Sequence, residues 1–265
     1  MRIGILPWIR GMVAGALLVA VGVGAASPSV AAPGDAPIRI AFVGDSMADG
    51  LWGAMFRRLG KDKCLAEKVK LVRKAKNGTG LTRLDQYNWI NEVATLAADP
   101  GADLFVGSFG INDRQPIVEP DKTRTDFGGA AFETRYLAHV EDLIHEATAK
   151  GGSILLVGLP VMLDGEANAD ALAKNKIFVD AVKASGTPLA AYAQPWSSQS
   201  GPDEYKPFLP NAHNAMSQVR ANDGIHFTTF GYDLVMESIY PAILASLKQR
   251  GRDLSAECPG EIGTR

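Results

Sequence analysis

The sequence predicts an α/β protein, a three-layer α/β/α sandwich built on a parallel sheet of roughly five strands. Three observations carry this. Short β-branched or apolar runs alternate with longer stretches of helical apolar spacing. The 265 residues are 46% hydrophobic and 21% charged, enough for one sizeable core. No internal repeat or long low-complexity tract breaks the alternation after the first 32 residues.

Those 32 residues differ from the rest. Arg2 and Arg10 precede an apolar run of small residues, and Val30-Ala31-Ala32 offers small side chains at the positions that mark a cleavage site. The run is short of the ~20 residues that span a bilayer. Residues 1–32 are therefore expected to be a secretory signal peptide, cleaved near Ala32. The mature chain is expected to be periplasmic or secreted, without stable membrane insertion. Residues 33–265 are expected to form a single domain.

Within that domain, strands are expected over residues 38–43, 69–73, 104–106, 154–157 and 188–192. Helical spacing covers 48–59, 84–98, 132–149 and 168–184, and a last helix over 232–248 contains Pro241, a potential kink. Two irregular stretches break the rhythm. Residues 115–129 are charged and end in glycines; residues 194–220 carry Pro195, Pro202, Pro207 and Pro210. Connections this long are usually functional, and both are read as walls of a binding cleft.

Chemistry-bearing residues fall where the alternation places strand ends. In parallel sheets, ligands sit beyond the carboxyl ends of the strands. After the first strand comes Gly44-Asp45-Ser46, which puts a hydroxyl at the N-terminus of the next helix. A Ser there is commonly only an N-cap. After the second strand comes Asn77-Gly78-Thr79-Gly80, and after the third, Gly110-Ile111-Asn112-Asp113. Asp223 and His226 stand three apart in a Gly-containing turn before the last helix, a spacing that lets a carboxylate orient an imidazole.

Each piece is common alone; their order along one sheet edge is specific. Gly44-Asp45-Ser46, Gly110-x-Asn112-Asp113 and Asp223-x-x-His226 together resemble the SGNH, or GDSL-type, hydrolases, over about residues 38–247. The surrounding words resemble a little-characterised bacterial periplasmic branch of that family. The resemblance implies a flavodoxin-like sheet, with Ser46 as nucleophile, His226 as its base and Asp223 orienting the base. It also implies an oxyanion hole from the Ser46 and Gly80 N–H groups and the Asn112 side chain. Gly78 and Gly80 both stand in the second block; Gly80 is preferred because Thr79-Gly80-Leu81 leads toward the next helix. Asp45, Arg114 and Trp196 are candidate substrate contacts. Arg114 also reads as a salt-bridged loop residue, and Trp196 as packing.

The expected activity is hydrolysis of acyl esters, acetyl above all, on a carbohydrate or cell-wall glycan or a small molecule. An O-acyltransferase needs the same residues. A non-catalytic glycan-binding module of the envelope and a flavodoxin-like nucleotide binder are the alternatives outside that class. No cofactor and no metal is expected: His139 and His145 lie six apart, and His145-Glu146 lacks the second His of a zinc-protease helix. Of 27 basic residues, two lie in the leader, leaving 25 against 29 acidic, net −4. With no basic stripe, nucleic acid is not an expected partner. Cys64 and Cys258 fit either a disulfide, which export permits, or two unpaired thiols.

Overall fold

Residues 38–44, Ile-Arg-Ile-Ala-Phe-Val-Gly, form the strand that organises the domain. Ile38, Ile40 and Phe42 point into one hydrophobic cluster, Ala41 and Val43 into the other, and all five are fully buried. Period-two alternation with both faces apolar is what a central parallel strand requires. Each large side chain so buried contributes about 1.5–3 kcal/mol.

The structure, a computed structural model, describes residues 36–98, 100–195 and 204–259. The expected signal peptide and Trp196 lie outside the described residues. The elements run β1 (Ile38–Gly44), α1 (Ser46–Leu59), α2 (Lys63–Lys68), β2 (Val69–Ala75), α3 (Trp89–Ala97), β3 (Leu104–Ser108), β4 (Ile117–Val118), β5 (Arg124–Thr125), α4 (Gly129–Thr148), β6 (Ser153–Val157), α5 (Gly165–Ser185), β7 (Ala190–Ala193), β8 (Phe208–Pro210), β9 (Met216–Gln218), α6 (Thr229–Gln249) and α7 (Leu254–Glu257). Five strands form one parallel sheet in the order β2-β1-β3-β6-β7. Helices α1 and α6 cover one face; α3, α4 and α5 cover the other. This is the expected three-layer α/β/α sandwich. Among the described residues, no helix is long and apolar enough to cross a membrane.

One expected helix boundary is corrected, and the two long connections carry short hairpins. Residues 84–88 are not helical. The Asp85 N–H donates to Val118 O and the Val118 N–H to Thr82 O, which hold this segment against β4, and the Asn88 side chain caps α3 only from Trp89 onward. Residues 115–129 hold the β4–β5 hairpin, whose fully buried Ile117 joins the core; they brace the segment after β2 from behind. Of residues 194–220, 196–203 lie outside the described residues; the remainder contains the β8–β9 hairpin. The last helix passes through Pro241 on its exposed side without interruption.

Cys64, on α2, and Cys258, just after α7, form a disulfide across 194 residues of sequence. It ties the C-terminal segment to the helix that precedes β2, at the sheet edge opposite the carboxyl ends of the strands.

Candidate active site

The site begins at Gly44. Its φ is +131°, and a Cβ there would lie 1.9 Å from Ser108 O, so only glycine fits. This close approach lets the Asp45 N–H donate to Ser108 O at 3.1 Å and the Lys76 N–H to Gly44 O at 2.8 Å. The ends of β1, β2 and β3 are thereby fastened side by side, and Ser46 emerges between the loops that follow β2 and β3.

Asp45, not Ser46, caps α1: its Oδ1 accepts the Met47 N–H at 2.8 Å. The Asp45 side chain is fully buried, so the expectation of a substrate contact there is corrected. Burial, opposed by the Met47 N–H and reinforced by the charge of Asp113, pushes its carboxyl up to about 8. With the cap supplied by its neighbour, the Ser46 hydroxyl is left for another partner. That partner is His226, whose Nε2 lies 2.6 Å from Ser46 Oγ.

His226 sits in the turn between β9 and α6. Asp223 Oδ1 accepts the Ile225 and His226 backbone N–H groups, each at 2.9 Å, and Oδ2 lies 2.7 Å from His226 Nδ1. A carboxylate only accepts, so Nδ1 carries a proton, and in the neutral ring Nε2 is the nitrogen that accepts from Ser46 Oγ. Burial raises the Asp223 carboxyl, but these three hydrogen bonds outweigh it and hold it down at about 2. The turn closes on itself through Ala221 N–H to His226 O at 2.8 Å.

The loop after β2 is held from two sides. Asp113, fully buried, accepts from the Leu81 N–H, the Thr82 N–H, the Thr82 hydroxyl and the Tyr136 hydroxyl at 2.7–3.1 Å. On the carbonyl side, His139 Nδ1 bonds Leu81 O at 2.8 Å and Nε2 faces Glu119 at 3.0 Å. Asn112 joins the two loops by donating from Nδ2 to Thr79 O at 2.9 Å. Gly80 is crowded by Asp113, whereas a Cβ on Gly78 would meet nothing within 4 Å. The structure thus brings Ser46, Asp223 and His226 into one hydrogen-bonded chain, with Gly80 and Asn112 on the two loops beside it. Sequence reasoning assigned no role to Asp113 or His139; the signal for Asp113 was its place beside Asn112.

Arg114 lies apart from this chain. Its guanidinium donates to Glu166 at 3.1 Å and lies 3.8 Å from Asp164, the paired loop residue that the sequence reading also allowed. Among the described residues, no cluster of side chains could hold a metal ion.

Sheet order and the gathering of the motif residues beyond the carboxyl ends of its strands define a three-layer α/β/α fold with a site at its edge. Residues 39–242 match the family described as "Protein of unknown function (DUF459)", and the chain belongs to that family. None of the curated proteins matches it. Among solved structures, a carbohydrate esterase family 3 protein from Talaromyces cellulolyticus is similar at 12% identity and a TM-score of 0.54, covering 80% of this chain and 98% of its own. An acetyl-xylooligosaccharide esterase from Geobacillus Stearmophilus is similar at 15% identity and 0.51, covering 88% and 100%. LAE5, an alpha/beta hydrolase from the metagenome of Lake Arreo, Spain, is similar at 17% identity and 0.53, covering 82% and 97%. At these identities the likeness is one of fold.

Proposed function

We propose that the chain is a serine esterase. The observation that carries this reading is the continuous chain Ser46 Oγ–His226 Nε2, His226 Nδ1–Asp223 Oδ2, at 2.6 and 2.7 Å. A Ser hydroxyl needs an adjacent base to attack a carbonyl at neutral pH. His226 takes the Ser46 proton as Oγ adds to the ester carbon. It then gives that proton to the departing alcohol, leaving an acyl-Ser46. Water, deprotonated by the same ring, releases the acid and restores Ser46. Asp223 keeps the ring in the tautomer this sequence needs and stabilises the imidazolium.

The oxyanion would be met by the N–H of Ser46, in the first turn of α1, the N–H of Gly80, and Asn112 Nδ2. First-turn N–H groups have no intrahelical partner. Each preorganised donor is worth about 10²–10³ in rate, more than the helix field of about 0.3–1 kcal/mol. The chemistry asks for no metal or cofactor.

An acetyl or other short acyl group on a carbohydrate is the substrate class we favour; the similar folds named for acetylated xylo-oligosaccharide and carbohydrate esters support it. The leader expected from the sequence and the Cys64–Cys258 disulfide support an oxidising, exported setting. Hydrolysis of p-nitrophenyl acetate is expected of the purified protein and not of Ser46→Ala. Undiminished turnover by that variant would remove Ser46 from the mechanism.

A further inference from the structure

We propose that Arg220 is a positioning residue of this site: its guanidinium locks the Asp223–His226 turn onto the loop after β6 and so fixes where the imidazole stands relative to Ser46. The inference rests on the esterase reading for its activity readouts, and on geometry alone for its placement.

Arg220 is 3% exposed, and among the described residues it forms no ion pair with a carboxylate. Its planar fork is instead filled by backbone carbonyls. Nη1 donates to Val161 O at 2.7 Å, Nη2 to Ile225 O at 2.7 Å, and Nε makes a longer contact with His226 O at 3.4 Å. Val161 belongs to the β6–α5 connection; Ile225 and His226 belong to the catalytic turn. One rigid group therefore bridges two chain segments, beside the backbone bond from Leu163 N–H to Gly224 O at 3.1 Å. The Phe227 and Tyr205 rings lie 4.6 and 4.8 Å from the guanidinium carbon.

A cation buried without a hydrogen-bonded carboxylate, with the Asp223 charge only nearby, is costly, and an apolar side chain of similar volume would fill the space at lower cost. What an apolar residue lacks is direction. Arg presents several donors in a fixed fork, and its charge strengthens each bond to a carbonyl. The turn's inner shape does not need Arg220, since Asp223 Oδ1 and the Ala221 N–H close it. The turn's seating does. Ser46 rides on α1 and His226 on a loop 180 residues away, so their 2.6 Å contact depends on how that loop is anchored. A misplacement of about 1 Å can cost about 10²-fold in rate.

The test compares full-length wild type with Arg220→Met and Arg220→Lys. In Arg220→Met, kcat on p-nitrophenyl acetate is expected to fall about 10²-fold with KM within about twofold, and labelling of Ser46 by a fluorophosphonate to slow in step. The far-downfield proton resonance of His226 Nδ1–H, expected in wild type from the 2.7 Å bond to Asp223, should broaden or vanish. Arg220→Lys, which keeps the charge but not the fork, should recover part of both. A folded Arg220→Met with wild-type kcat and an unchanged resonance would overturn the proposal. Should the Met variant not fold, Arg220→Lys decides: a kcat about tenfold low at full folding supports the proposal, and a wild-type kcat overturns it. If wild type itself neither turns over ester nor takes the label, the esterase reading fails, while the resonance still tests the seating of the ring.

Discussion

A Cβ on Gly80 would stand 2.0 Å from Asp113 Oδ1, so the residue proposed to donate to the oxyanion and the acid that holds its loop are packed without room for one methyl group. Asp113 cannot yield cheaply, because four donors fix its carboxylate. Gly80→Ala is therefore expected to push the loop out of place and lower kcat about 10²-fold or more, with a drop in the thermal midpoint. Gly78→Ala meets no neighbour and carries only the strain of its φ of +75°, of order 1–2 kcal/mol, so it should fold and turn over. Measured kcat for the pair checks this; equal values would contradict it.

Asp45 makes a prediction about stability. Its carboxyl is raised to about 8 in the folded protein, chiefly by burial, whereas the unfolded chain ionises near 3.8. The folded state thus holds a proton that the unfolded state releases. The contribution is complete below about pH 4 and is lost as pH rises through about 8. Urea midpoints of the wild type should fall between pH 5 and pH 9. Asp45→Asn keeps the oxygen that caps Met47 but cannot ionise, so its midpoint should vary less. Parallel slopes for the two proteins would contradict the assignment.

Asp223 gives the opposite sign. Held at about 2 by its hydrogen bonds, it stays charged at every pH above about 4, and its stabilising charge is lost only as pH falls through about 2. A loss of activity between pH 5 and pH 7 would therefore not come from Asp223. Asp223→Asn can still accept the Ile225 and His226 N–H groups, so the turn should persist, but its amide would face Nδ1 with the wrong polarity. The expected loss in kcat is on the order of 10⁴-fold at neutral pH. A variant within tenfold of wild type would show that Asp223 does not orient the base.

The disulfide should matter for stability and not for rate. Cys64 and Cys258 close a loop of 194 residues at the sheet edge away from Ser46. Replacing both by Ser is expected to cost about 2–5 kcal/mol by denaturant unfolding, with kcat on p-nitrophenyl acetate within about twofold. A large fall in kcat in the folded double variant would place the bridge in the site.

Much of this fold was legible because its central strands are apolar on both faces: residues 40–43, 104–106 and 154–157 are buried on both sides. The short elements were not. α2 and α7 span only six and four residues, too few for a periodic stripe, and are marked only by the capping residues Asp62 and Asp253. At the site, motif order pointed to Ser46, Asp223 and His226, but adjacency could not tell which way Asp45 turns; as the cap of α1, its side chain folds back into the core. Arg114 meets acids about 50 residues away, and Arg220 donates its hydrogen bonds to carbonyls rather than to a carboxylate, so neither pairing leaves a pattern in sequence. Tertiary packing alone makes those partners.

The central claim is that Ser46 is a nucleophile made reactive by His226. The most direct measurement is peptide mapping by mass spectrometry after treatment with a fluorophosphonate, on wild type and on His226→Ala. The account predicts one adduct on Ser46 in wild type and labelling slower by at least about 10²-fold in His226→Ala. An unlabelled wild-type Ser46, or equal labelling in both proteins, would contradict it.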